Sequence, residues 1–283
     1  MKTNPNLAPE RYSELVATIT NALGPCTIYA FGYRHKTIAC SILNETTARS
    51  QCTHFDLLVF SRTSKPNAAA DLANLIRERL GVAVSLLLHK PTDLVTKQSC
   101  QQWFLWNILH RAQRLSLDKT AIPFLPDDRI PVRDANAVRG YWLKCEAVAA
   151  FYINAAADSA HLGVGLIKIA LLHEAAAQIG LGLIRIFLGY TPNHFGLSHL
   201  LDLCGHFTDL PAETFIQKTP EQQKRYKMLC APPTMLRHWQ RLDADENDFT
   251  VLLHTCTEFL ENAKLLAAAE LEKLETTLKT TAI

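Results

Sequence analysis

Period-two alternation of apolar and polar residues marks a strand packed on one face, and here it is confined to the part of the chain before segment 121–133 (AIPFLPDDRIPVR). That segment holds three of the 13 prolines and an acidic pair, a composition suited to a boundary between separately folded parts. A chain of 283 residues has room for two ordinary domains of about 100–200 residues each. The expected division is an N-terminal α/β domain over 1–122, a linker over 123–135 and an all-α domain over 136–283. The fold class is then α+β, with a small mixed sheet in front and a helical bundle behind.

In the first part, Tyr12, Leu15, Val16, Ile19 and Leu23 recur at helical spacing, and Gly24-Pro25 stops that helix. Segment 26–31 reads as a strand entering a turn at Gly32, and 54–61 reads as a second strand. Between them, 35–53 is polar and rich in Thr, Ser and Asn, either a long hairpin arm or a loop. A helix is predicted over 67–80, a third strand over 82–89, and a helix over 98–117 with Trp103, Phe104, Trp106, Ile108 and Leu109 on a wide apolar face. The second part reads as helices near 134–160, 164–188, 195–206, 211–217, 220–230 and 246–279.

Composition narrows the function classes. The chain is 48% apolar and 20% charged, as soluble globular chains are. Its net charge of +2 is too small for binding nucleic acid through bulk field alone, so such binding needs a local basic patch. The eight cysteines form no CxxC pair, which argues against a zinc ribbon or a dithiol redox site. The first residues lack the apolar run of a secretory leader, and the most apolar stretch, 162–188, is interrupted by Lys168, His173, Glu174 and Arg185. A cytoplasmic protein without a membrane span is expected.

An apolar strand running into Gly32-Tyr33-Arg34, followed by a strand carrying Asp56 two residues after His54, is an arrangement that places polar groups where a triphosphate and metal ions are held. Side chains two apart on a strand share a face, and carboxylates so placed bridge metal ions for in-line attack. A glycine lets backbone amides approach phosphate. These residues resemble the minimal nucleotidyltransferase family, whose pattern is Gly-Ser, then Asp-x-Asp, then a third acid on a later strand. Gly32 matches the glycine and Asp56 the second aspartate. Tyr33 stands for the serine, His54 for the first aspartate, and the third acid falls near Ser85. The resemblance implies a nucleotide site of Gly32, Tyr33, Arg34, His54 and Asp56, with Arg34 on phosphate. It implies Mg²⁺ on Asp56 and His54, although one carboxylate and one imidazole are a weak ligand set for a hard ion.

In the second part a helix that is apolar nearly all round carries His173 and Glu174. Gly180 and Gly182 suit the close approach of another helix, Gly189 suits the C-cap, and Pro192 the break that follows. His173-Glu174 with Ala176 and Ala177, then Gly189-Tyr190-Thr191-Pro192-Asn193, then Leu197, Leu200 and Leu201 resemble the HEPN family over about 136–280. The motif residues are His173, Glu174, Tyr190 and Asn193. Where the family has Thr-His after Pro-Asn, this chain has His194-Phe195. Where the family has Ala-Arg-Tyr, it has Leu236-Arg237-His238. Some HEPN domains are metal-independent ribonucleases, which need a general base for the 2′-hydroxyl and a cation for the developing phosphorane. Arg185, His194, Arg237 and His238 are the candidates here. His173 has a structural alternative, a buried imidazole bonded to a backbone carbonyl. Lys224-Arg225-Tyr226-Lys227 is either an RNA contact or a solvated helix face.

The two resemblances together imply a HEPN protein with an inactive nucleotidyltransferase-like domain, binding nucleotide or RNA in a toxin–antitoxin or defence setting. They imply a homodimer through the helical half and no membrane partner. A dimeric HEPN ribonuclease is the first alternative and an active nucleotidyltransferase the second.

Overall fold

The computed structural model describes residues 9–42, 46–62, 68–94, 99–121, 131–159, 165–234 and 245–281. The chain divides into two compact units, 1–132 and 133–283. The first joins helices to a small mixed sheet and the second is helical.

In the first unit, α1 (Pro9–Leu23) precedes a long antiparallel hairpin, β1 (Cys26–Ile42) and β2 (Thr46–Ser61), paired from Cys26↔Ser61 to Ile42↔Thr46. Segment 35–53 is thus the hairpin arm rather than a loop. Helix α2 (Ala68–Leu80) leads to β3 (Ala83–His89), which runs parallel to β2 and is buried throughout. Then come α3 (Ser99–Arg111) and β4 (Gln113–Ser116), giving the strand order β3-β2-β1-β4. One face of the sheet carries Ile28, Phe55, Leu57, Val59, Val84 and Leu86, which pack with Leu15, Ile19, Leu72 and Ile76 of α1 and α2. The opposite face meets α3, where Phe31 sits edge-on to Phe104 with ring centroids 5.7 Å apart.

Two expectations change. The helix predicted to run to 117 ends at Arg111, because residues 113–116 pair with β1 across Ala30↔Gln113 and Ile28↔Ser116. The Ser116 hydroxyl donates to the Cys26 carbonyl at 3.2 Å. The hydrogen-bonding edge of β1 outcompetes a modest local helical preference. Gly32 is not a turn either. It lies within β1, just after a bulge in which Ala30 faces Leu57 and Gly32 faces Asp56, leaving Phe31 as the extra residue.

The second unit is built on α4 (Ala135–Asp158) and α5 (Gly165–Leu188), with α6 (Leu197–Cys204), α7 (Leu210–Thr214), α8 (Pro220–Cys230) and α9 (Glu246–Thr281) around them. Asp134 caps α4 by accepting from the amides of Asn136 and Ala137, and Thr219 with Gln222 forms a capping box on α8. Helix α5 is long and apolar enough to cross a bilayer by length and composition, yet 72% of that stretch is buried inside the fold. Gly189, with φ of 66°, ends α5 by donating from its amide to the Arg185 carbonyl. At Gly182 side chains of α4 draw close: a Cβ there would meet Trp142 Cε3 at 2.6 Å and Cys145 Cβ at 3.2 Å.

Alanine in place of glycine within a helix ordinarily adds about 1 kcal/mol of stability. At Gly182 the sign should reverse, since overpacking against Trp142 costs roughly 1–3 kcal/mol. Gly180→Ala, whose Cβ would make an ordinary 3.4 Å contact with Leu200, should be neutral or stabilising. Thermal melts of the two variants against the parent chain check this.

Candidate functional site

The bulge in β1 decides which residues meet. Before it, Ile28 and Ala30 face the α1 side and Tyr29 faces Phe60, with ring centroids 6.3 Å apart. After it the alternation is out of phase by one. Tyr33 now lies on the α1 side, 5.2 Å from the ring of Phe55, and Arg34 turns to the other face. On that face Arg34 Nη2 donates to Asp56 Oδ1 at 2.7 Å. His54 Nε2 lies 2.8 Å from Ser85 Oγ and 3.6 Å from Asp56 Oδ1. Gly32, Asp56 and Ser85 sit side by side across β1, β2 and β3. Four of the positions singled out in the sequence therefore converge, together with Ser85, while Tyr33 leaves them for the apolar core.

The cluster is closed. Asp56 is 0% exposed, Ser85 1% and His54 4%. A carboxylate this deep must be neutralised, and Arg34 does so. The donor set does not fit the Mg²⁺ expected on Asp56 and His54. Among the described residues Asp56 is the one carboxylate of the cluster, a guanidinium holds one of its oxygens, and an imidazole and a hydroxyl lie beside it. Among the described residues no group of three or more His, Cys, Asp or Glu side chains is placed to share a metal ion. Arg34, expected on phosphate, is engaged with Asp56.

In the helical unit the imidazole of His173 is buried, and its Nδ1 is 2.8 Å from the Leu229 carbonyl. A carbonyl only accepts, so Nδ1 carries the proton and the ring ties α5 to the end of α8. This is the structural alternative foreseen for His173. Glu174 beside it and Asn193 are half-buried, and Tyr190 is buried. Arg185 is 5% exposed; its Nη1 donates to Thr191 Oγ1 at 3.1 Å, and its guanidinium lies 5.4 Å from the Tyr141 ring centre. His194 stands edge-on to His199, ring centroids 5.0 Å apart, and burial holds its pKa below the ordinary 6.5. Arg237 and His238 lie outside the described residues.

Several residues that periodicity did not mark do structural work. Arg133 reaches the carbonyls of Arg185 and Ile186 at the end of α5. Lys168, 1% exposed, pairs with Glu246 at 3.0 Å and sits 4.3 Å from the Phe249 ring centre. In the basic segment, Lys224 and Arg225 each reach an oxygen of Asp248 at 2.8 Å. Burial pushes the Asp248 carboxyl up, but those two bonds outweigh it and leave it below the usual carboxylate range. Two of the segment's three cations are thus engaged within the bundle. Burial also pushes the thiols of Cys230 and Cys256 up to about 12, far from the thiolate a nucleophile needs.

Neither the family models nor the curated proteins compared with this chain match it.

Removing the carboxylate at Asp56→Ala should destabilise the first unit by roughly 3 kcal/mol, because Arg34 loses the partner of a buried pair. An acid kept for metal would instead be neutral or stabilising to remove. Urea unfolding of the variant separates the two. For His194, the unfolded chain takes up a proton before the native one as pH falls. Stability should therefore be full above about pH 6.5 and decline as pH drops through the lowered native value. Melting temperatures of the parent and His194→Phe between about pH 7.5 and about pH 5 should show the flatter profile in the variant.

Proposed function

We propose that this chain is a binding and assembly protein: a HEPN-type helical unit joined to a nucleotidyltransferase-like unit without transfer chemistry. It binds nucleotide or RNA in a toxin–antitoxin or defence setting, as a homodimer through the helical unit. One observation carries the non-catalytic reading. Asp56, the acid retained from the transferase signature, is 0% exposed and paired with Arg34 at 2.7 Å. In-line transfer needs carboxylates open to metal and triphosphate. The family resemblance gains support from the register, since Gly32, Asp56 and Ser85 are neighbours across three strands and Ser85 fills the position of the third acid with a hydroxyl. The HEPN resemblance is supported by the glycine-capped end of α5 and the Tyr190–Asn193 turn leading into α6.

The second reading is a metal-independent ribonuclease. His194 favours it, because a lowered pKa keeps its imidazole neutral, the form a general base requires. Arg185 counts against it, being buried among Tyr141, Gly189 and Thr191 rather than open to a phosphate.

The deciding measurement is a thermal shift of the purified chain with ATP, GTP, AMP and a short RNA, each with and without Mg²⁺, alongside assays for NTP turnover and RNA cleavage. The expected result is a rise of several degrees with one ligand, independent of Mg²⁺, and no turnover. Mg²⁺-dependent turnover abolished by Asp56→Asn would restore the transferase. RNA cleavage lost in His194→Ala with folding intact would establish the ribonuclease.

A further inference from the structure

Helix α3 packs its inner side, Phe104, Leu105 and Ile108, into the fold and carries a stacked pair of rings on its outer side. Trp106 and His110 have ring centroids 4.1 Å apart and planes inclined by 20°. His110 Nδ1 is 2.8 Å from the Trp106 carbonyl. A carbonyl only accepts, so Nδ1 carries the proton and holds the imidazole in place over the indole. Trp106 covers one face of the imidazole, yet His110 is exposed, so its other face is open. The Trp106 Nε1 is buried and meets no acceptor among the described residues, whereas a tryptophan placed for packing usually finds one. The charge around the stack has one sign. Between Asp93 and Asp118 the sequence holds no acid, while Lys97, Arg111 and Arg114 are cations. Arg111 is exposed, with its guanidinium 6.0 Å from the Trp106 ring centre. Arg114 stands opposite Tyr29 in β4, on the α3 side of the sheet, and is exposed too. It bonds to Tyr29, which leaves most of the five guanidinium donors for other use. Basic residues in a last turn offset the helix dipole, but that role needs neither the stacked rings nor Arg114 beyond the helix end.

We propose that the outer face of α3 is a nucleobase-stacking site. A base lies on the open face of His110 and extends the Trp106–His110 stack, with its phosphate met by Arg111 and Arg114. The inference rests on the reading that the chain binds nucleotide or RNA, and it places that binding away from the closed Asp56 cluster. Every base has a π face, so an aromatic platform flanked by cations takes single strands and free nucleotides with little regard to sequence. A chain with a net charge of +2 needs a local basic patch for such a ligand, and this stretch supplies one. Helix α8 offers less, since Lys224 and Arg225 are held by Asp248. An apolar protein partner is a poorer occupant, because Gln102, Asn107, His110 and Arg111 make the outer positions polar.

The test is titration of the full chain with AMP, GMP and a short mixed-sequence single-stranded RNA, followed by tryptophan fluorescence at fixed salt. The expected result is quenching by at least one ligand, with affinity lowered roughly tenfold or more in His110→Ala, the loss of one base–aromatic stack. His110→Phe keeps a flat ring at the position and should bind within about threefold of the parent. Arg111→Gln should weaken binding and flatten its salt dependence. His254→Ala, at an exposed histidine on α9, should change nothing. Melting transitions of the variants check that each is folded. RNA bound well above AMP and GMP identifies the base as part of a strand, and equal affinities identify a free nucleotide; both support the site. Binding unchanged in His110→Ala overturns the site while the binding reading stands. His110→Phe weakened as much as His110→Ala overturns the stack. No binding of any of the three ligands overturns the site and the binding reading together.

Discussion

A carboxylate with no access to water has to be answered by a positive or hydrogen-bonding group, and in the first unit this requirement organises the middle of the sheet. Asp56 is set by strand alternation on the face opposite the α1–α2 core. Arg34 reaches it because the bulge at Phe31 shifts the phase of β1 by one residue. Were the same sequence paired without the bulge, Phe31 would stand opposite Asp56, Tyr33 would share that face, and the guanidinium would point into the apolar layer around Phe55. His54 and Ser85 complete the polar cluster from β2 and β3. Closure of this cluster leaves the Asp56 carboxylate out of solvent with one oxygen held by the Arg34 guanidinium.

The helical unit meets an analogous constraint with α5. A helix buried on nearly every side must satisfy each polar group it carries. Lys168 is met by Glu246 and the Phe249 ring, His173 by the Leu229 carbonyl, and Arg185 by Thr191 and Tyr141. Its last carbonyls receive Arg133. His173 thus fastens α5 to α8, Lys168 fastens it to α9, and Arg133 ties its end to the chain before α4. Helix α4 differs in carrying a second apolar stripe, around Leu143 and Phe151, on the side away from α5.

Most of the helices were legible because each has local punctuation. The ends of α5 and α8 follow from Gly189, Pro192, Thr219 and Pro220, and the exact span of α8, Pro220–Cys230, agrees with its periodicity. The site was legible in part. His54 and Asp56 could be placed on one strand and Ser85 on another from the apolar pattern, and the resemblance to the nucleotidyltransferase family is what linked the three. Their sealing could not, because burial depends on what covers a face. Likewise Lys224 and Arg225 looked like free cations, since nothing in the local sequence pointed to Asp248, more than 20 residues on.

By itself the sequence determined that a small sheet stands in front and helices follow among the described residues, and the identity of the polar residues on the central strands. These follow from local period, prolines and capping residues, which act over a few positions. Tertiary structure alone decided that Gly32 lies in a strand, that 113–116 is an edge strand and that Arg34 neutralises Asp56. Each depends on a hydrogen-bonding edge or a charge brought close from a distant part of the chain.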